Sequence, residues 1–293
     1  MVRFMNNFKT VLLLGALMGL CVVVGSRFGA GGLLMGLMVG GLMNVIGWFF
    51  SDKIALAAMS AKEVKPQSGG IEAELYHMVD ELRQRAGLPM PRVYICPQDA
   101  PNAFATGRSP SKAAVAVTQG ALQLLSYEEL KGVMAHELAH VKNRDTLISC
   151  VSAMIAGALS ALAQFGFLFG GGNNREGGNP IASLLVLIFA PIGALLIQMM
   201  ISRSREYVAD ADGAAIAGDA RGLMSALRKL ESMSRRVPMQ NPNPAQNNLF
   251  IVEPFMGESL TNLFATHPPM QKRLASLEQV QLDLEARAAG RIV

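Results

Sequence analysis

The chain is short of the residues that most covalent and redox enzymes use. Its three cysteines (Cys21, Cys96, Cys150) stand far apart in 293 residues. An odd, scattered set makes no disulfide framework and lacks metal-ligand spacing, which fits a reducing compartment. There is one tryptophan and no nucleic-acid motif, so the net charge of +4 is not read as a nucleic-acid footprint. The glycines of 170–178 have no strand or lysine beside them, which excludes a phosphate cradle. No internal repeat is present. Charged residues make up only 16 % of the chain and hydrophobic ones 51 %, too apolar for an ordinary soluble enzyme. Histidine is scarce too: His77, His136, His140 and His267 are all there are.

Charge is missing from four long stretches: Val11–Gly25, Phe28–Phe50, Thr146–Phe169 and Ile181–Ile201. A membrane-spanning helix needs about 20 apolar residues. The first stretch is short, and its rival reading is a cleavable leader behind Arg3 and Lys9. No small-x-small cleavage site precedes the second stretch, and removal would leave an odd number of spans. Four retained helices are expected. The turns 26–27 and 170–180 carry one basic residue each, whereas segments 51–145 and 202–293 carry eleven each. The positive-inside rule then puts both termini and both large segments in the cytoplasm. The basic residues border the spans, where anionic headgroups attract them. The expected division is a hairpin over 1–50, a first catalytic part over 51–145, a second hairpin over 146–201 and a second catalytic part over 202–293.

The most specific pattern is His136-Glu137-Leu138-Ala139-His140. Two imidazoles four residues apart share one helix face and can grip one metal ion. The glutamate between them can reach a water that zinc acidifies to a pKa of about 7, and take its proton. Ser126-Tyr127-Glu128-Glu129 just upstream is a capping box, and Leu130, Val133, Met134, Leu138 and Val141 form an apolar stripe. The motif therefore sits in a well-started helix.

A catalytic zinc takes three protein ligands. Asn143 and Thr146 stand where an extended motif would need glycine and histidine. His77 projects opposite the apolar stripe of the helix Ile71–Arg85 and reads as exposed. The best third candidate is Glu206, paired at i, i+4 with Asp210; one can bind zinc while the other holds a ligand histidine through its second ring nitrogen. His140 lies six residues before the third apolar stretch, about 9 Å of helix, and Glu206 five residues after the fourth. The second hairpin thus delivers both halves of the site to one point off the cytoplasmic surface. A site there suits a substrate chain arriving at the membrane.

Residues 53–70 read as a linker. Arg92–Cys96 and Ala113–Thr118 read as strands, and between them Asn102, Ala103, Phe104 and Ala105 form either a substrate-pairing edge strand or a turn. Asp219–Ser232 and Met270–Ala288 read as helices, with an irregular Pro- and Asn-rich segment over 236–258. His267, held extended by Pro268, either faces the zinc water and steadies an oxyanion or caps a neighbouring group.

Together these residues resemble the HtpX family of bacterial membrane zinc endopeptidases, relatives of the CAAX prenyl endopeptidases. The resemblance spans essentially the whole chain, including Asn102–Gly107, His136–Asp145, the Glu206…Asp210 pair and Thr266-His267-Pro268-Pro269. It implies a membrane protein with four transmembrane helices and a cytoplasmic α+β zincin-like metallopeptidase domain. It implies one Zn2+ held by His136, His140 and Glu206, Glu137 as base and acid, Asp210 behind a zinc histidine, and His267 in the active site. It also implies stress-linked quality control of misfolded or damaged membrane proteins in the cytoplasmic membrane. Two other readings stand beside it. A prenyl-protein peptidase would need a large lipid chamber, for which four spans are few. A zinc-binding scaffold or transporter would need a closed site or charges within the spans, and the sequence supplies neither.

Overall fold

The computed structural model describes residues 2–26, 29–148, 205–234 and 268–290. Helices α1 (Val2–Ser26) and α2 (Gly29–Ala58) form an antiparallel hairpin. Glycine lets their backbones touch: a Cβ on Gly36 would lie 2.3 Å from the Cys21 carbonyl oxygen, and one on Gly40 would meet Met18. Small residues at one seam are how apolar helices associate closely without a hydrophobic drive between them. Asn44 Nδ2 donates across the same seam to the Leu14 carbonyl at 3.1 Å. Leu34, Met35, Met38, Leu42 and Phe49 stay exposed on α2. Among the described residues α2 is the one helix long and apolar enough to cross a membrane, and α1 carries a shorter apolar run over Thr10–Val23. The expected third and fourth spans lie outside the described residues, apart from 146–148. There Leu147 and Ile148 pack against Leu13 and Leu17 of α1.

Helix α2 runs well past the end expected for it at Phe50. Ala55, Leu56 and Met59 continue an apolar face that closes over Tyr94, Cys96, Phe104, Ala114 and Ala116. The reading of 53–70 as a linker is therefore corrected: its first part is this helix, and Lys62–Val64 is strand β1. An ion pair of 2.6 Å from Arg92 to Asp52 ties the helix to the sheet. The Arg108 guanidinium sits 4.6 Å from the centre of the Phe49 ring.

Strands β2 (Arg92–Cys96), β3 (Ala103–Thr106) and β4 (Ala114–Thr118) complete a mixed sheet in the order β1-β2-β4-β3. The β2–β4 pair is parallel and the two outer pairs antiparallel. All five residues of β4 are buried. Its alanines face α2 and its valines the main core, the unbroken apolar run expected of a strand covered on both sides. Helix α3 (Ile71–Ala86) covers that core with Leu75, Met78, Val79 and Leu82, and Gly87 ends it in the left-handed conformation.

After the short α4 (Gln119–Leu124) comes α5 (Tyr127–Asn143), the axis of the domain. Its capping box is formed as expected, with Ser126 Oγ accepting from Glu129 N–H and the Glu129 carboxylate accepting from Ser126 N–H. Three further helices pack around it or its partners: α6 over 205–217, α7 (Arg221–Ser234) and α8 (Met270–Ala288). Glycines again set the closest crossings. A Cβ on Gly132 would meet Leu223 N at 2.5 Å, and one on Gly213 would meet His136 Cα at 2.8 Å. The helix that carries the HExxH run is thus held backbone to backbone by α6 and α7.

Candidate active site

The helical repeat puts His136 and His140 one turn apart on α5. Their Nε2 atoms face each other at 3.1 Å. Glu206, from α6, brings Oε2 to 3.6 Å from His136 Nε2 and Oε1 to 3.6 Å from His140 Nε2. A tetrahedral ion about 2.0–2.1 Å from each donor would space them about 3.4 Å apart, so the triangle fits a single metal ion. Among the described residues this is the group of donor side chains close enough together to hold one.

The outer nitrogens explain why the inner ones converge. His136 Nδ1 lies 3.0 Å from Asp210 Oδ1, and His140 Nδ1 lies 3.0 Å from Asp145 Oδ2. Each carboxylate stands against the Nδ1 edge of its imidazole, Asp145 in a hydrogen bond with His140, and leaves the Nε2 edge facing inward. Behind each carboxylate stands a buried arginine. Arg273 makes a two-pronged contact with Asp210, Nε to Oδ2 at 2.9 Å and Nη2 to Oδ1 at 2.6 Å. Arg205 Nη1 donates to the Asp145 carbonyl at 3.3 Å.

The charge at this centre is unbalanced in a telling way. Among the described residues, four carboxylates (Glu137, Asp145, Glu206, Asp210) are buried at this centre with two arginines (Arg205, Arg273). Counting carboxylates against arginines, the excess of two negative charges is what one divalent cation would cancel, and uncompensated buried charge is costly. His140 responds to the same field. Burial opposes protonation of His140, yet Asp145, Glu206 and Glu137 outweigh it and push its pKa up to about 9. Burial, with Glu206 adding to it, raises the Glu137 carboxyl above its usual range, while His136, His140 and the Ala105 N–H pull the other way. A carboxylate of raised pKa beside the donor triangle is suited to accept and return a proton.

The Ala105 contact shows where the sheet meets the site. Among the described residues, the outer strand β3 pairs with β4 alone. Asn102 exchanges bonds with Thr118, Asn102 N–H donating to Thr118 Oγ1 at 2.8 Å and Thr118 N–H to the Asn102 carbonyl at 2.9 Å. By the alternation of an antiparallel ladder, Phe104 pairs with β4 and the backbone groups of Ala103 and Ala105 turn outward.

The structure therefore brings together His136, Glu137, His140, Glu206, Asp210 and the start of β3. His77 is exposed on α3, away from the site. His267 lies outside the described residues. Sequence reasoning passed over Asp145, Arg205 and Arg273. A signal existed for the last: Arg273 occupies an apolar position of α8, one turn before the buried Leu277.

Peptidase family M48 matches residues 71–281, from the first residue of α3 into α8. A protease HtpX homolog of Desulforapulum autotrophicum is 49 % identical over 279 residues, covering 93 % of this chain and 89 % of its own. One from Syntrophotalea carbinolica is 49 % identical over 282 residues, covering 94 % and 99 %. One from Pelotomaculum thermopropionicum is 48 % identical over 285 residues, covering 95 % and 100 %. Among solved structures, S. mikatae Ste24p superposes with a TM-score of 0.52 at 17 % identity, over 94 % of this chain and 66 % of that one. That likeness is one of fold.

Proposed function

Since the chain belongs to peptidase family M48 and is a metalloprotease, we propose that it is a zinc endopeptidase of the bacterial cytoplasmic membrane. It cuts misfolded or damaged membrane proteins at the cytoplasmic face, as part of a stress response. The observation that carries the proposal is the convergence of three donor atoms beside a buried glutamate, on helices adjoining an apolar hairpin. His136, His140 and Glu206 are the residues that would hold one zinc ion, oriented by Asp210 and Asp145. Bound there, zinc supplies a Lewis acid that acidifies water and polarises a scissile carbonyl.

Glu137 takes the proton of the attacking water and returns it to the leaving amine. The outward backbone groups of Ala103 and the Ala105 carbonyl pair with an extended substrate chain, and Asn102 and Phe104 complete the same strand. His267 steadies the oxyanion; it precedes Arg273 by only six residues, and Arg273 reaches the site. Helix α2 supports a membrane location, and the excess of basic residues in segments 51–145 and 202–293 supports a multi-pass arrangement with both termini cytoplasmic.

The test is Glu137→Gln, purified with wild type in detergent without chelator. Both should carry equal zinc, and wild type alone should cleave a misfolded membrane protein or casein. Cleavage by the variant at the wild-type rate would remove Glu137 from its role. Cleavage by wild type with no bound zinc would remove the metal from the mechanism.

A further inference from the structure

The most isolated charged group in the described domain is Arg273. Its side chain is 1 % exposed, yet it belongs to α8, more than sixty residues beyond the last donor of the triangle. Its guanidinium grips Asp210 with two hydrogen bonds of 2.9 and 2.6 Å. Its remaining nitrogen lies 3.4 Å from Glu206 Oε2. One planar cation thus touches both the carboxylate that orients His136 and the carboxylate that completes the donor triangle. Asp210 and Glu206 stand one turn apart on α6, where two unscreened carboxylates repel each other and swing apart. A guanidinium fork between them fixes their separation and direction, which a flexible ammonium does not. Leu277, Val280 and Leu284 anchor the rest of α8 in the main core, so the fork is held from behind.

We propose that Arg273 is a positioning residue of the metal centre, acting through Asp210 and Glu206 to hold the His136 and Glu206 donors in register. It touches no reacting atom. The C-terminal helix is on this view a structural part of the metal site. The inference rests on the assignment of His136, His140 and Glu206 as the metal-holding group.

The experiment uses the full chain in detergent, as wild type, R273M, R273K, D210N and the R273M/D210N pair. Each is loaded with Zn2+ to follow release to a chromogenic chelator, and with Co2+ to record the visible spectrum of the bound ion. R273M should release Zn2+ about tenfold faster or more, with a shifted Co2+ spectrum; substitutions behind metal ligands cost about 10–100-fold in affinity. R273K should fall between it and wild type. In the D210N background R273M should add less than it does alone, because the path through Asp210 is already cut and only the contact with Glu206 remains.

Wild-type release and an unchanged Co2+ spectrum in R273M would overturn the inference, as would full additivity with D210N. If R273M does not fold, R273K carries the test: it keeps the charge without the fork, and wild-type behaviour in it overturns the proposal equally. His136→Ala and Glu206→Gln separate the two claims. Metal retained by these variants would sink the assignment of the site, whereas metal lost by them but kept by R273M sinks the role of Arg273 alone.

Discussion

Single residues in this domain do two jobs that their sequence neighbours do not announce. Glu129 closes the capping box of α5 and also reaches α7, accepting from Ser225 Oγ at 2.6 Å and Lys229 Nζ at 2.7 Å. Burial alone would raise its pKa, but Lys229, Ser225 and the Ser126 N–H together bring it down to about 2. A lowered carboxyl contributes stability above its unfolded value and loses it as pH falls toward the folded one. Glu129→Gln should therefore destabilise the fold by about 1–3 kcal/mol at pH 7. The deficit should shrink between about pH 4.5 and 2, as read by denaturant unfolding across that range. At the metal centre, Asp145→Asn should weaken metal binding by about 10–100-fold, measured by competition with a chelator. The capping box, the histidine pair and the Glu206–Asp210 pair were legible in the sequence because each partner stands three or four residues away on one helix. Asp145 was not, since its contact with His140 depends on Arg144 turning the chain at φ 60° to end α5. Arg205 and Arg273 were hidden because charge on a helix reads as solvated until the neighbouring helices are placed.

Helices here are positioned by glycines more than by large side chains. A methyl group on Gly213 would press on the His136 backbone, which has no flexible end to yield. Gly213→Ala should push α6 off α5, costing about 1–3 kcal/mol by the usual penalty for overpacking. It should also separate Glu206 from both histidines. Lowered thermal midpoint together with lowered metal content would confirm it; full metal content would show that α6 adjusts without disturbing the donors. The helix boundaries that sequence gave well, such as Ile71–Ala86 and Met270–Ala288, are those closed by a left-handed glycine or opened by prolines. The end of α2 was misjudged because Asp52 and Lys53 resemble the edge of a span. Asp52 instead pairs with Arg92, and the apolar face resumes at Ala55.

At the scale of the whole molecule, the negative excess among the described buried residues of the site makes stability depend on a cation. Removing the metal with a chelator should lower the thermal midpoint in detergent, and returning Zn2+ should restore it. At a free-metal concentration about a thousandfold above Kd the stabilisation is about 4 kcal/mol. An unchanged midpoint would argue that the carboxylates are neutralised by protons instead. The anchoring hairpin shares this unity, because α2 enters the sheet's own core and is no tether on a loose linker.

The three donors are divided between helices on either side of the segment 149–204. During synthesis the ribosome delivers His136 and His140 long before Glu206, and Arg273 later still. A nascent chain therefore holds two imidazoles and not the third donor of the triangle while the segment 149–204 is being made. Hydrolytic capacity becomes available only when α6 closes on α5. A peptidase assembled in this order is inert until most of its own chain has been made.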